Sequence, residues 1–215
     1  GTFERQGFVF GRRGEEVTVA VDDVIDADNL VDMQAIAEEL SVGMGGASLY
    51  LNGDNAADYT LTFENDLSVA DFDNSLLAYE IGADGQIVDV TLLAANVKTV
   101  EGPLSVTDVD AGNQLHFALL QKGGDIDFEG ALDIDVSSGE AVLTVDGEAV
   151  DRSLLVSHDA ALNVTGIDHV LSGTTGTTEG DVRIAFEDQT VEVDADYQDI
   201  VFTVEAMPPA AMEIV

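Results

Sequence analysis

Short segments of alternating apolar and polar residues, separated by turn dipeptides, dominate this sequence from residue 48 onward. Alternation over roughly four to eight residues is the pattern of a β-strand with one buried face. Asp84-Gly85 and Asp146-Gly147 stand between such segments, and both dipeptides favour the type I′ turn of a tight hairpin. The pattern predicts strands at residues 8–10, 16–21, 48–51, 59–63, 76–81, 86–93, 115–121, 131–136, 141–145, 182–186 and 200–205. The expected fold is all-β, an antiparallel, jelly-roll-like β-sandwich.

One helix is predicted near the N-terminus, at residues 28–40. Asp28 or Asn29 can cap it, and apolar residues recur at steps of three and four along it. We expect residues 1–46, with this helix and the first strands, to pack on the main body. The main β-sandwich is predicted at residues 47–206 and a C-terminal linker at residues 207–215.

The charge of the chain excludes some partners. There are 43 acidic residues against seven Lys and Arg, a formal net charge of −36, while 46% of the residues are apolar. Such a chain folds, but it repels nucleic acid and anionic membranes, so neither is expected as a partner. The acidity suits a saline or calcium-rich medium. The alternative to a specific ligand is the generic acidic surface of a halophilic protein.

Residues 186–202, FEDQTVEVDADYQDIVF, combine six carboxylates with the start of an apolar strand. Carboxylates are costly to bury unpaired and repel one another at such spacings. Ca²⁺ can compensate them, because it binds roughly six to eight oxygen ligands from carboxylates, carbonyls and water. The alternative is a solvated acidic turn. The candidate metal ligands in this stretch are Glu187, Asp188, Asp194, Asp196 and Asp199.

This stretch also resembles a known family. FED, a short spacer and D-x-D-Y-x-D-I-V-F resemble the closing motif of the domain of unknown function 4114 family, although residues 190–193 replace the usual glycine-rich spacer. Residues 74–97, 106–123 and 167–173 resemble its opening and middle, so the likeness covers residues 74–205. The resemblance implies an extracellular, calcium-associated β domain of large secreted bacterial proteins, often beside RTX repeats, without enzymatic activity. It also adds Asn74, whose amide would supply a carbonyl ligand or hold a loop.

Enzymatic chemistry finds little support in the remaining motifs. No G-x-S-x-G nucleophile elbow is present, cysteine is absent, and the three histidines lack the close spacing of a zinc site. The histidines are His116, His158 and His169, of which His169 is expected at the start of a strand. Asn163 opens a glycosylation sequon. We therefore expect a protein that is not an enzyme.

The expected function is a calcium-binding module of a secreted adhesin or of a cell-surface or biofilm matrix protein. Calcium ions are the expected cofactor and partner, and glycans, further copies of the chain or a surface protein are further candidate partners. One alternative is a surface-layer, filament or virion subunit of a halophilic or marine organism, whose arginine-bearing N-terminal strand joins a neighbour's sheet. Another is a calcium-dependent carbohydrate-binding module. No direct insertion into a membrane is expected, since no apolar run is long enough.

Overall fold

The computed structural model confirms the all-β antiparallel class. It describes residues 8–12, 15–19, 51–52, 57–64, 68, 70–110, 113–167, 169–174, 182–191 and 197–207. The predicted helix at residues 28–40 lies outside the described residues, and so do residues 208–215 of the predicted linker. Met207 still belongs to the last strand.

The described part of the chain contains fifteen strands and three short 3-10 turns. The 3-10 turns are Val97–Thr99, Gly123–Asp125 and Ala160–Leu162. The strands are β1 Phe8–Arg12, β2 Glu15–Val19, β3 Leu51–Asn52, β4 Ala57–Phe63, β5 Ser75–Ile81, β6 Ile87–Ala94, β7 Leu104–Val109, β8 Gln114–Leu120, β9 Leu132–Asp135, β10 Val142–Val145, β11 Glu148–Ala149, β12 Leu154–Val156, β13 Val170–Thr174, β14 Val182–Phe186 and β15 Ile200–Met207.

These strands form three sheets. A seven-stranded sheet runs in the order β2-β1-β13-β14-β15-β4-β7, and a five-stranded sheet runs β12-β8-β5-β6 with β3 also paired to β8. A three-stranded sheet, β11-β10-β9, completes the described fold. The N-terminal hairpin extends the seven-stranded sheet, because β1 pairs with β13 of its own chain at Val9↔Thr174 and Phe10↔Gly173. If the chain were an assembly subunit of the kind considered above, this N-terminal strand would join a neighbour's sheet. In the structure it pairs with β13 of its own chain.

The five-stranded sheet is buried on both faces, which makes the sandwich three layers deep. Consecutive residues of a strand point to opposite faces. Leu76 and Ala78 of β5 pack in the core against the seven-stranded sheet. Leu77 and Tyr79, on the other face, pack in a second core with Ile134 and residues of β10 from the three-stranded sheet. The two-sheet sandwich predicted from sequence therefore carries a third, smaller layer.

The two Asp-Gly turns differ. Asp146 and Gly147 both have positive φ, 51° and 82°, so the predicted type I′ turn between β10 and β11 is confirmed. Between β5 and β6 only Gly85 has positive φ, 80°, and its N–H donates to Gly82 O at 2.9 Å. The type I′ prediction at Asp84-Gly85 is wrong, because Gly82 N donates to Gln86 O, so that residues 83–85 form a three-residue loop in which Gly85 takes the left-handed position.

Three strands, β7, β11 and β12, were not predicted, and β13 was anticipated only as the strand expected to begin near His169. The alternation in β7 is broken at Asp108, which has a φ of 62° and lies where the pairing with β4 shifts register. A β-bulge of this kind inserts extra residues and hides the two-residue period from the sequence. Strands β11 and β12 are only two and three residues long, too short for a period to be visible.

The seven-stranded sheet contains a bidentate ion pair that we expect to stabilise it. Arg183 on β14 donates from Nε and NH2 to the two carboxylate oxygens of Glu64, each at 2.8 Å, and Thr203 on β15 also donates to Glu64. Both charged side chains are mostly buried. Arg183→Met is expected to lower the free energy of unfolding by about 2 kcal/mol, measured by urea denaturation, because it strands the Glu64 carboxylate.

Arg152→Met is the control. Its ion pair with Asp125 is longer, 3.6 Å, and more exposed. Its loss should cost less than about 1 kcal/mol. Equal costs for the two variants would contradict the assigned role of the Arg183 pair.

Candidate functional site

The pairing of β14 with β15 brings three predicted acidic residues together. The register joins Phe186, the last residue of β14, to Ile200, the first residue of β15. Glu187 and Asp188 directly follow β14, while Asp199 directly precedes β15. Because the strands are antiparallel, these residues lie at the same end of the sheet. One carboxylate oxygen from each lies within 4.8 Å of the others.

These three side chains are buried, which is rare for carboxylates. Glu187 and Asp188 have no exposed area and Asp199 is 6% exposed. Backbone N–H groups bind two of them, since Asp188 N donates to Asp199 Oδ2 at 2.6 Å and Gln189 N donates to Glu187 Oε1 at 2.9 Å. The carboxylates thereby hold the chain where it leaves β14.

Asp188 accepts hydrogen bonds from N–H groups at only one of its two oxygens. Its Oδ2 accepts a hydrogen bond from Asn74 Nδ2 at 2.7 Å and a longer one, 3.4 Å, from Phe72 N. Its Oδ1 is buried and has no hydrogen-bond partner among the described residues, and no ion pair with a described residue reaches it. Burial raises the pKa of the Asp188 carboxyl, and its hydrogen bonds with Asn74, with Phe72 N and with the Asp199 side chain oppose that rise. A bound cation would compensate the bare oxygen.

Asn74 is oriented by both ends of its amide. Its Oδ1 accepts a hydrogen bond from Lys122 N at 3.0 Å, so its Nδ2 faces Asp188. Asn74 also accepts at its backbone oxygen from Val97 N. Of the two roles considered for Asn74, this geometry corresponds to holding a loop, since its amide oxygen is already used.

Two residues that were not predicted as part of the site position its backbone. Gln121 Nε2 donates to Asp188 O at 2.7 Å. His169, which lies buried just before β13 as expected, contacts Glu187 O through Nδ1 at 3.0 Å, and Thr165 Oγ1 lies 2.7 Å from its Nε2. Burial lowers the pKa of His169, so the ring is neutral near pH 7. Both residues lie in stretches that resemble the family, residues 167–173 and 106–123, but only His169 was singled out as a positioned side chain.

Two predicted ligands cannot be placed. Asp194 and Asp196 lie outside the described residues, so their contribution stays a prediction. The chain is described again from Tyr197, which is buried and has a φ of 54°. The structure thus brings together Asn74, Glu187, Asp188 and Asp199 of the predicted set.

A second group of three carboxylates lies elsewhere and differs in character. It comprises Glu80, Asp89 and Asp110, of which Asp89 and Asp110 are exposed. Glu80 Oε2 already accepts from Asp110 N at 3.1 Å and from Asn113 Nδ2 at 2.8 Å. These bonds explain the buried Glu80 as the anchor of the loop that precedes β8.

The histidines do not all lie apart. The rings of His116 and His158, distant in sequence, have centroids 5.8 Å apart, and Tyr79 OH lies 2.7 Å from His158 Nδ1. The three rings form an aromatic cluster beside the second core. Burial lowers the pKa of His116 to about 3 and raises the pKa of Tyr79. In the part of the chain that the structure describes, the groups of three or more metal-ligating side chains include neither of these imidazoles.

The asparagine of the glycosylation sequon makes hydrogen bonds inside the fold. Asn163 is 2% exposed, its Oδ1 accepts from Val156 N at 2.7 Å, and its Nδ2 donates to Ile167 O at 3.0 Å. A buried amide with these partners is not accessible for glycan attachment in the folded chain.

Comparisons with known proteins add no relative. A scan against family models finds no match, and neither do searches of the curated proteins and of the solved structures. Among the described residues no helix is long and apolar enough to cross a membrane.

His116 predicts a specific sensitivity to acid. The folded chain does not protonate this ring until about pH 3, whereas the unfolded chain does so near its ordinary pKa of 6.5. Its contribution to stability is therefore present above pH 6.5 and is lost as the pH falls towards 3. Between pH 7.5 and 4.5 the wild type should lose about 2 kcal/mol more unfolding free energy than His116→Phe. Urea denaturation at both pH values checks this, and parallel losses would contradict it.

Proposed function

We propose that this chain is a non-enzymatic, extracellular calcium-binding β-sandwich module of a secreted adhesin or cell-surface protein. One observation carries the proposal. Asp188 Oδ1 is buried without a hydrogen-bond partner among the described residues, and one oxygen of the same carboxylate lies within 4.8 Å of carboxylate oxygens from Glu187 and Asp199. A bare buried carboxylate oxygen next to two further carboxylates is the environment that a hard cation would stabilise.

The ligand chemistry of the acidic group suits calcium. Ca²⁺ binds roughly six to eight oxygens in flexible geometry, several of them from protein carboxylates, whereas Mg²⁺ usually keeps several waters and uses one or two carboxylates. Three carboxylates whose oxygens lie within 4.8 Å of one another are therefore more typical of a calcium site. Asp194, Asp196 and water are candidates for the remaining ligands.

The position of the group explains what a bound ion would do. Glu187, Asp188 and Asp199 belong to the seven-stranded sheet, whereas Asn74 directly precedes β5 of the central sheet. An ion at Asp188 would neutralise the acidic end of β14 and β15 at the point where the two layers meet. Binding energy would then appear as folding stability. A cavity of about 450 Å³, lined by Lys98, Asp199 and Ile200, reaches Asp199 of the group.

The extracellular part of the proposal rests on composition and resemblance. A net charge of −36 is tolerated best where cations screen it, and cysteine is absent. Residues 74–205 resemble the domain of unknown function 4114 family, which implies a secreted, calcium-associated module. Calcium at the millimolar level, as in extracellular modules, would suit a site with these few described ligands.

Calorimetric titration of Ca²⁺ into chelator-stripped protein tests the proposal. Saturable binding is expected in the wild type, and Asp188→Asn should abolish it because the variant removes the charge at the bare oxygen. Asp89→Asn, in the second carboxylate group, is the matched control and should bind as the wild type does. Loss of binding in Asp89→Asn alone would move the site to Glu80, and no binding in any protein would overturn the proposal.

Thermal unfolding separates charge from structure at the same position. In chelator, Asp188→Asn should melt a few degrees above the wild type, since it relieves a desolvated charge and keeps an acceptor for Asn74. In excess calcium the order should reverse, because only the wild type gains from the ion. A variant that melts below the wild type in both conditions would show that the ionised carboxylate is needed for the fold alone.

A further inference from the structure

Three of the seven basic residues of this acidic chain line a single surface cavity. Lys98, Lys122 and Arg152 border a cavity of about 510 Å³, although acids outnumber bases by 43 to seven. They come from separate segments: the 3-10 turn after β6, the turn after β8 and the loop before β12. The fold therefore gathers scarce positive charge at one place.

These positive charges are only loosely paired. Lys98 Nζ lies 3.4 Å from Asp73 Oδ1, and Arg152 NH2 lies 3.6 Å from Asp125 Oδ1. Charge-assisted hydrogen bonds are shorter, about 2.7 to 2.9 Å, and exposed pairs of this kind are weak. Lys122 Nζ lies 4.2 Å from the centroid of the Phe72 ring and has no ion pair among the described residues. Lys98 and Arg152 also donate to the backbone carbonyls of Asp71, Lys122 and Asp151, so an incoming anion would add to these hydrogen bonds and would compete only with the weak ion pairs.

The wall of the cavity is held in place by its backbone. Lys122 has a φ of 55°, a left-handed conformation that is unfavourable for a residue with a side chain. Its N–H is bound by Asn74 Oδ1, and its carbonyl accepts from Arg152 Nε at 3.3 Å. Phe72 N is bound by Asp188. Both aromatic and basic parts of the wall are thus positioned before any ligand arrives.

The acids of the cavity define the ligand further. Asp71, Asp73 and Asp125 also line it, and they would repel a bare anion. A ligand that presents hydroxyl groups to these carboxylates, and its own carboxylate to the bases, satisfies both sets of groups. We propose that the cavity binds a uronic acid sugar, with the sugar carboxylate at Lys122 and Arg152 and the hydroxyls donating to the three aspartates.

This proposal goes beyond calcium binding and does not depend on it. The sugar is recognised by side chains of the protein and not through a bound ion. The cavity also lies within the usual size range of small-molecule sites, about 300 to 1,000 Å³, which accommodates a single sugar residue.

The test is a titration of sodium glucuronate into the full chain, followed by calorimetry, once in chelator and once in calcium. Saturable binding is expected in both conditions. Lys122→Gln and Arg152→Gln should each weaken it by about tenfold, since each removes a charge-assisted contact to the carboxylate. Arg12→Gln, the same change of charge in the N-terminal hairpin, should leave the affinity unchanged. A thermal melt of each variant establishes that it is folded.

Other probes decide between ligand chemistries. Glucose lacks the carboxylate, and sulfate lacks the hydroxyl groups. Glutamate carries an ammonium group in place of the hydroxyl groups. Each of the three should therefore bind at least about tenfold more weakly than glucuronate. Asp73→Asn, which keeps all three bases, should weaken glucuronate and spare sulfate. Equal binding of sulfate would reduce the cavity to a simple anion site, and preference for glutamate would make it an amino acid site. Either of these two results overturns the proposal. Binding that occurs only in calcium, or the absence of saturable binding, overturns it as well.

Discussion

The hydrogen bond between Asn74 and Asp188 joins the layers of this fold at its most acidic point. Asn74 leads into β5 of the central sheet and Asp188 follows β14 of the seven-stranded sheet. The other end of the Asn74 amide holds Lys122, at the turn after β8. One buried amide therefore satisfies polar groups from two other segments. An apolar residue in its place would remove the hydrogen bond to Lys122 N and would leave Asp188 Oδ2 with only the longer one from Phe72 N, which is more costly than the loss of a single exposed bond.

The scarcity of positive charge makes its placement informative. With 43 acids and seven bases, most carboxylates have no basic partner and depend on water and salt for screening. Arg183 binds Glu64 within the sheet, and three further bases lie around one cavity. Glu187, Asp188 and Asp199 are instead buried in one group. The described charges are therefore concentrated at particular places in the fold. The charges of a purely solubilising acidic surface would instead be spread evenly.

Sequence reasoning succeeded where the signal was local. Alternation and turn dipeptides identified most strands, and Asp146-Gly147 had the predicted turn type because only two residues link its strands. Asp84-Gly85 failed because Gly82 closes a longer loop, which the dipeptide alone does not reveal. The third layer was not predicted, since LLAYE in β5 reads as an ordinary strand until the sheets on both sides are known. For the site, the grouping of Glu187, Asp188 and Asp199 could be predicted, because adjacent antiparallel strands bring their neighbouring ends together. Gln121 and the cavity bases depend on the pairing of β8 with β5 and β12, which no short motif encodes.

The two oxygens of Asp188 have different roles. One holds the fold together, and the other is the candidate cation ligand. Oδ2 accepts from Asn74 and Phe72, so it serves the fold. Oδ1 contributes nothing to that network among the described residues and costs stability while it stays bare. Selection for stability alone would favour asparagine here, because an amide keeps the acceptor and loses the charge. A carboxylate at this fully buried position would be stabilised by a cation bound at the second oxygen, and this is the physical basis of the proposed calcium site.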